Sequence, residues 1–185
     1  MPAFDLLPRT LLTSMVALLL PLSVWAQGKV RIMVELNPAG SFVAESSAVK
    51  GAATRTGNVL IAQNITLDLS SLKTGVSLRD QHMKDKYFEV RQFPQAVLIQ
   101  GTAKDGKFSG DLTIHGVSKK IEGSSSIDGS LVKTKFKCAL SDFGIKPASY
   151  MGVGVEDEVE VEATLPIAAA LKPTSPKPAA TPQKK

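Results

Sequence analysis

Apolar and polar residues alternate with period two through most of this chain, the pattern of strands that bury one face and solvate the other. Val30, Ile32, Val34 and Leu36 alternate with Arg31, Met33 and Glu35, and Asn37, Pro38, Ala39 and Gly40 supply a turn. Phe42, Ala44, Ser46 and Ala48 share one face of the next segment. Val59, Ile61, Ile65, Leu67 and Leu69 form another one-sided run. Val97, Ile99 and Ala103 lead into a turn at Lys104-Asp105-Gly106-Lys107, after which Phe108, Leu112 and Ile114 face away from Ser109, Asp111 and Thr113. Asp-Gly between alternating runs signals a hairpin, and the signal recurs at Asp128-Gly129 after the more polar run Val117 to Ile127. In the last two runs, Val132, Thr134, Phe136, Cys138 and Leu140 alternate with Lys133, Lys135 and Lys137. Val155, Asp157, Val159, Val161, Ala163 and Leu165 alternate with Glu156, Glu158, Glu160 and Glu162. As neighbours, these two strands would set a lysine row against a glutamate row on the outer surface, where each pair is worth about 0 to 1 kcal/mol.

The pattern predicts an all-β fold of about eight antiparallel strands, and periodicity alone leaves both a sandwich and a closed barrel open. An eight-stranded barrel has an interior that side chains just fill or that holds one small ligand. The inward candidates are mainly Val, Ile, Ala, Gly and Ser, with few aromatics at the centre, so a retained cavity is expected.

One stretch breaks the alternation. From Leu72 to Pro94 a Thr-Gly turn is followed by a short helical pattern in which Leu78, Met83 and Tyr87, with His82 beside them, make an apolar stripe. Arg79, Asp80, Lys84 and Asp85 take the opposite side. Pro94 returns the chain to extended structure. The segment is expected to cap the barrel, with its apolar stripe packed on the mouth.

The two ends differ from the body. Arg9, an apolar run from Leu11 to Val24 and the small residues before Gln27 read as a secretory signal over residues 1–26, cleaved near Ala26. The run is shorter than the ~20 residues that span a bilayer. The mature domain is expected over residues 27–167, exported to the periplasm or secreted, with no transmembrane span. Residues 168–185, rich in Lys, Pro and Ala, read as a disordered tail. Most of the net charge of +5 resides there: residues 27–167 carry 17 Lys and Arg against 16 Asp and Glu, while the tail adds four lysines and no acid. A nearly neutral body without a basic, aromatic-bearing stripe argues against nucleic acid. The tail could contact anionic envelope material electrostatically. Cys138 is the only cysteine, so no bridge within the chain can form, and its place on an apolar face reads as a small buried hydrophobe.

Five short motifs, in order, carry a resemblance: Ser71-Leu72-Lys73-Thr74-Gly75; Leu78-Arg79-Asp80-Gln81-His82-Met83 with Tyr87-Phe88; Phe93-Pro94 before a strand; Gly110-Asp111-Leu112-Thr113-Ile114-His115-Gly116-Val117; and Ser141-Asp142-Phe143-Gly144-Ile145. From about Gly40 to Ile167 the chain resembles the YceI-like family of exported bacterial lipid-binding proteins. The resemblance implies an eight-stranded antiparallel, lipocalin-like barrel with a short helical insertion, whose apolar pore holds a long isoprenoid or similar amphiphile, and it implies no catalytic centre. The chain departs from the commoner family pattern near its start, where Val30 to Leu36 lacks an aromatic and Ala44 to Val49 lacks a histidine.

Candidate pore-lining residues are Phe42, Val59, Ile61, Ile65, Val97, Ile99, Phe108, Leu112, Ile114, Phe136, Leu140, Phe143, Val159 and Val161. Candidates at the cap and mouth are Leu78, Arg79, His82, Met83, Tyr87 and Phe88. Asp80 and His82 invite a general-base reading, but residues two apart on a helix point in opposed directions, so structural roles are favoured. His82 and His115 without a ligand cluster are a weak metal signal, and neither a metal nor a cofactor is expected. The lysines of the cap, with Arg79 and Arg91, could instead meet a lipid headgroup. The expected function is non-enzymatic binding of an isoprenoid, quinone-like or fatty amphiphile. The alternatives are an envelope structural protein with a filled barrel or, less favoured, a small-substrate enzyme using His82 or His115. A homodimer is a further expectation.

Overall fold

The computed structural model describes residues 27–150 and 152–168. The expected signal peptide and basic tail lie outside the described residues, apart from Ala168, which closes the last strand.

The strands are β1 (Gly28–Asn37), β2 (Ser41–Lys50), β3 (Ala53–Thr56), β4 (Val59–Asp68), β5 (Gln95–Lys104), β6 (Lys107–Ile114), β7 (Val117–Asp128), β8 (Leu131–Ala139), β9 (Ser149–Tyr150), β10 (Val153–Val155) and β11 (Glu158–Ala168). A helix α1 (Ser77–His82), continued by a π-helical turn (Met83–Tyr87), lies between β4 and β5. Eight strands close a barrel in the order β1-β2-β4-β5-β6-β7-β8-β11, and antiparallel pairing of β11 with β1 from Lys29–Thr164 to Met33–Glu160 completes it. Closure gives each of the eight a neighbour on both sides, which settles the choice between sandwich and barrel.

Three of the remaining features were not expected. β3 pairs antiparallel with β4 and parallel with β11, filling the wall where β1 and β2 stop. The run read as starting at Val155 is broken in two: β10 pairs with the end of β1, and Asp157 leaves the ladder to accept hydrogen bonds from the Ser141 backbone N (2.8 Å) and Oγ (2.5 Å). β9 pairs only with β10.

Turn chemistry fixes the register. Asp105-Gly106 joins β5 to β6 with both residues at positive φ (50° and 77°), the two-residue geometry that suits strand twist. His115-Gly116 does the same between β6 and β7 (53° and 77°). On the outer face Lys135 and Lys137 meet Glu160 and Glu158 at 2.6 Å each, and Lys135 reaches Glu162 at 3.7 Å, so the lysine and glutamate rows do face one another.

The hairpin turns after β3, β5 and β7 gather at one end of the barrel, together with Gly28 and Ala168. The long β4–β5 connection, the His115 turn and the β8–β11 connection gather at the other.

Candidate functional site

The barrel encloses a cavity of about 130 Å³. Its wall runs from Ala53, Leu60, Ala103, Val132 and Leu165 near the hairpin-turn end to Leu67, Leu69, Leu112, Ile114 and Phe88 at the other. Phe108 and Ile114, both on β6, are six residues apart, about 20 Å of strand. A volume so small spread over that length is a narrow slot. Thr134 is the one polar side chain in the lining, and its Oγ1 donates to the Ala163 carbonyl at 3.5 Å, so the slot offers a guest very little hydrogen-bonding capacity. An apolar cavity of this size stays dry and favours an apolar guest.

Ile65, Phe108, Leu112, Ile114, Phe136, Val161 and Phe88 line this slot. Phe42, Leu140, Val159 and Met83 pack on the same core without reaching the slot wall. The other candidates stand elsewhere. Val59 and Ile61 on β4, and Val97 and Ile99 on β5, are not in the wall; their neighbours Leu60, Ala62, Ala96 and Leu98 are. The reason is a double irregularity. Asn64 adopts a left-handed conformation (φ 51°) opposite Ile99, and β5 shifts register against β6 between Leu98 and Gln100. Each strand therefore changes the parity of its inward positions midway, from Leu60 and Ala62 to Ile65 and Leu67 on β4 and from Ala96 and Leu98 to Gly101 and Ala103 on β5. At Gly101 the slot wall is bare backbone, since a Cβ there would stand 2.8 Å from Leu98 Cδ2. Phe143 is buried (1% exposed), but with Ile145 it lies apart from the main core and the slot.

The wall between β2 and β4 is incomplete, because these strands pair only at Val49–Leu67 and Lys50–Thr66. The chain leaving β4 spans the opening. Glu45 and Lys73 exchange backbone hydrogen bonds of 2.9 and 3.0 Å, Ser46 Oγ and Ser71 Oγ lie 2.6 Å apart, and Leu69 and Leu72 are fully buried beneath.

The cap is built on Thr74. Its backbone N and Oγ1 donate to Asp80 Oδ1 at 2.7 and 2.6 Å. Arg79 donates from Nε to Thr74 Oγ1 (2.9 Å) and from a terminal nitrogen to the Thr74 carbonyl (3.2 Å), with its guanidinium 4.1 Å from the centre of the Phe42 ring. The Thr74 hydrogen bonds hold the Asp80 carboxyl below its ordinary pKa. This network turns α1 over relative to the expected stripe. Arg79 and Asp80 face the barrel, Leu78 is 63% exposed, and His82 is exposed as well. Met83 and Phe88 pack on the core, and Tyr87 is half-buried without joining it.

No hydrogen bond joins Asp80 to His82 among the described residues, so the general-base pair is not assembled. His115 packs on Phe93 with ring centres 4.2 Å apart and ring planes tilted by 50°, and its Nε2 lies 3.1 Å from Glu89 Oε2, pinning the return of the cap to the β6–β7 turn. Burial pushes the Cys138 thiol up to about 11, far from the thiolate a nucleophile needs.

A family model described as the YceI-like domain matches residues 28–167. Two solved structures are similar. BcnA of Burkholderia cenocepacia has a TM-score of 0.58 at 16% identity, over 75% of this chain and 94% of its own. A polyisoprenoid binding domain from Saccharophagus degradans, implicated in plant cell wall breakdown, has a TM-score of 0.54 at 14% identity, over 77% of this chain and 94% of its own. No curated protein matches the chain.

Proposed function

Because this chain belongs to the YceI-like domain family, we propose that it is a non-enzymatic binding protein of the bacterial periplasm or exterior that holds the chain of an isoprenoid or related amphiphile inside its barrel. The observation that carries this reading is the slot itself, which is long, narrow and apolar, with Phe88 of the cap at one end. Such a shape suits a flexible hydrocarbon better than a compact ring system. Each methylene buried is worth about 0.8 kcal/mol before ordering costs, so length alone gives affinity, and no polar lining group is needed to orient the guest. The likeness to a polyisoprenoid binding domain supports the same ligand class. The signal-like segment over residues 1–26 supports export. A catalytic role has little to work with, since the two histidines lie outside the slot, one exposed and one packed on Phe93.

The test is direct. Full-length protein expressed in a bacterial envelope is purified and weighed by native mass spectrometry, then delipidated and titrated with a polyprenol and a quinone. A stoichiometric lipid adduct, or saturable uptake by the stripped protein, is expected. A lipid-free mass together with no uptake of either compound would sink the reading and leave a filled structural barrel.

A further inference from the structure

Two of the largest exposed apolar side chains belong to no strand. Val76 (49% exposed) and Leu78 (63% exposed) stand two residues apart at the start of the cap, whereas exposed Met33, Ile99, Ile127 and Val153 are spread singly over the strands. Single exposed apolar groups are ordinary; a pair at a pore mouth calls for a reason. The fold supplies none, because the Thr74 network draws Arg79 and Asp80 inward and so turns Leu78 to solvent.

The charge around the pair is unbalanced. Residues 73–86 carry Lys73, Arg79, Lys84 and Lys86 against Asp80 and Asp85. Leu78, His82 and Lys86, spaced four apart, are all exposed, and Lys73 is exposed beside the pair. On the barrel wall Lys133, Lys135 and Lys137 are each matched to a carboxylate, but Lys73 and Lys86 form no ion pair among the described residues. Exposed apolar tips on a segment that also carries two exposed, unmatched ammonium groups complement a bilayer surface that carries anionic headgroups. The same segment sends Phe88 into the slot, so a surface bound to its outer side lies next to the pore mouth.

We propose that the outer face of the cap, Val76 and Leu78 with Lys73 and Lys86, docks on bilayers containing anionic phospholipid, so that an apolar guest passes between membrane and barrel without crossing water. The proposal rests on the binding function given above, and the experiment separates the two. Delipidated full-length protein is sedimented with vesicles of phosphatidylethanolamine and phosphatidylglycerol and with vesicles of phosphatidylcholine alone. Wild-type protein should bind the anionic vesicles and release them as salt is raised. Val76→Ser/Leu78→Ser and, separately, Lys73→Glu/Lys86→Glu should each weaken that binding by about tenfold, while both variants keep wild-type circular dichroism and take up polyprenol from detergent micelles. Equal binding to both vesicle types, or unaltered binding by both variants, would overturn docking. So would a wild-type dimer in solution that the Val76→Ser/Leu78→Ser variant dissolves, since a second copy would then be the occupant. Wild-type protein that binds anionic vesicles but takes no polyprenol from micelles would overturn the pore reading and leave docking supported.

Discussion

Asp80 sets the orientation of the cap helix. Both of its contacts with Thr74 end on one carboxylate oxygen, and Arg79 reaches Thr74 from the other side, so one threonine joins the extended chain to the helix start. Replacing Asp80 with alanine should cost about 1 kcal/mol, the scale of a lost helix-start hydrogen bond, read as a shifted denaturant midpoint and faster amide exchange over residues 74–80. The pH dependence has a definite sign. The folded carboxyl titrates below its unfolded value because Thr74 hydrogen bonds favour the charged form. Its contribution is therefore complete above about pH 4 and is lost as pH falls through the folded value. Asp68 and Asp157 are depressed in the same direction by Ser70 and Ser141, so acid weakens the whole mouth. The test is the difference between wild type and Asp80→Asn, which should narrow as pH is lowered from 5 to 3; a constant difference would mean that the carboxylate's charge is irrelevant to the cap.

At the scale of the strand, alternation was a faithful guide where the ladder is unbroken and misleading where it is not. β8 and β11 pair in one register from Glu158–Ala139 to Pro166–Leu131, and the inward positions read from Val132 to Cys138 and from Val159 to Leu165 are inward; only Leu140, Val155 and Asp157, beyond the paired stretch, leave the pattern. β4 and β5 carry paired irregularities at Asn64 and Ile99, and beyond those points an alternation counted from one end assigns each side chain to the wrong face. Asn64 was the legible sign: asparagine tolerates left-handed backbone, and one in the middle of a β-branched run is a reason to restart the count. Ile99 gave no such sign. The cap shows the other limit. A helical stripe counts hydrophobicity alone, and here hydrogen bonds that Thr74 donates to Asp80 and accepts from Arg79 outweighed one leucine. The expected consequence is a contrast between adjacent residues. Ile99→Asp, at an exposed position, should change stability by no more than about 0.5 kcal/mol, whereas Leu98→Asp places a carboxylate in the slot and should abolish lipid uptake and destabilise the fold severely. Thermal melts and polyprenol titration of the two variants check this, and equal damage from both would mean that β5 does not flip parity at its bulge.

Over the described residues the molecule is a closed barrel around a narrow apolar slot. Eight strands closed by hydrogen bonds hold the wall, the Lys–Glu rows fix the register of β8 against β11 from outside, and the small residues Ala62, Ala96, Gly101 and Ala103 keep the inner wall from closing on itself. A cavity of about 130 Å³ is well below the ~300 Å³ at which most ligand pockets begin. A guest of any length must therefore move side chains as it enters. Phe108 and Phe136, with ring centres 5.9 Å apart in the wall, and Phe88 of the cap are the bulkiest groups available to shift. Because the guest binds only the folded barrel, it should stabilise the protein by mass action: a ligand at a hundred times its Kd contributes about 2.7 kcal/mol, roughly 5–10 °C in Tm for a domain of this size. Val161 stands in the same wall, on β11 opposite Phe136 of β8. Val161→Phe adds bulk to the slot while keeping it apolar, at an overpacking cost of about 1–3 kcal/mol. The melting temperature of the lipid-free variant should consequently fall somewhat, while the rise on adding polyprenol should disappear. A variant that still gains the wild-type increment would place the guest outside the barrel, since no hydrocarbon could pass Val161→Phe unhindered and occupy the length of so narrow a slot.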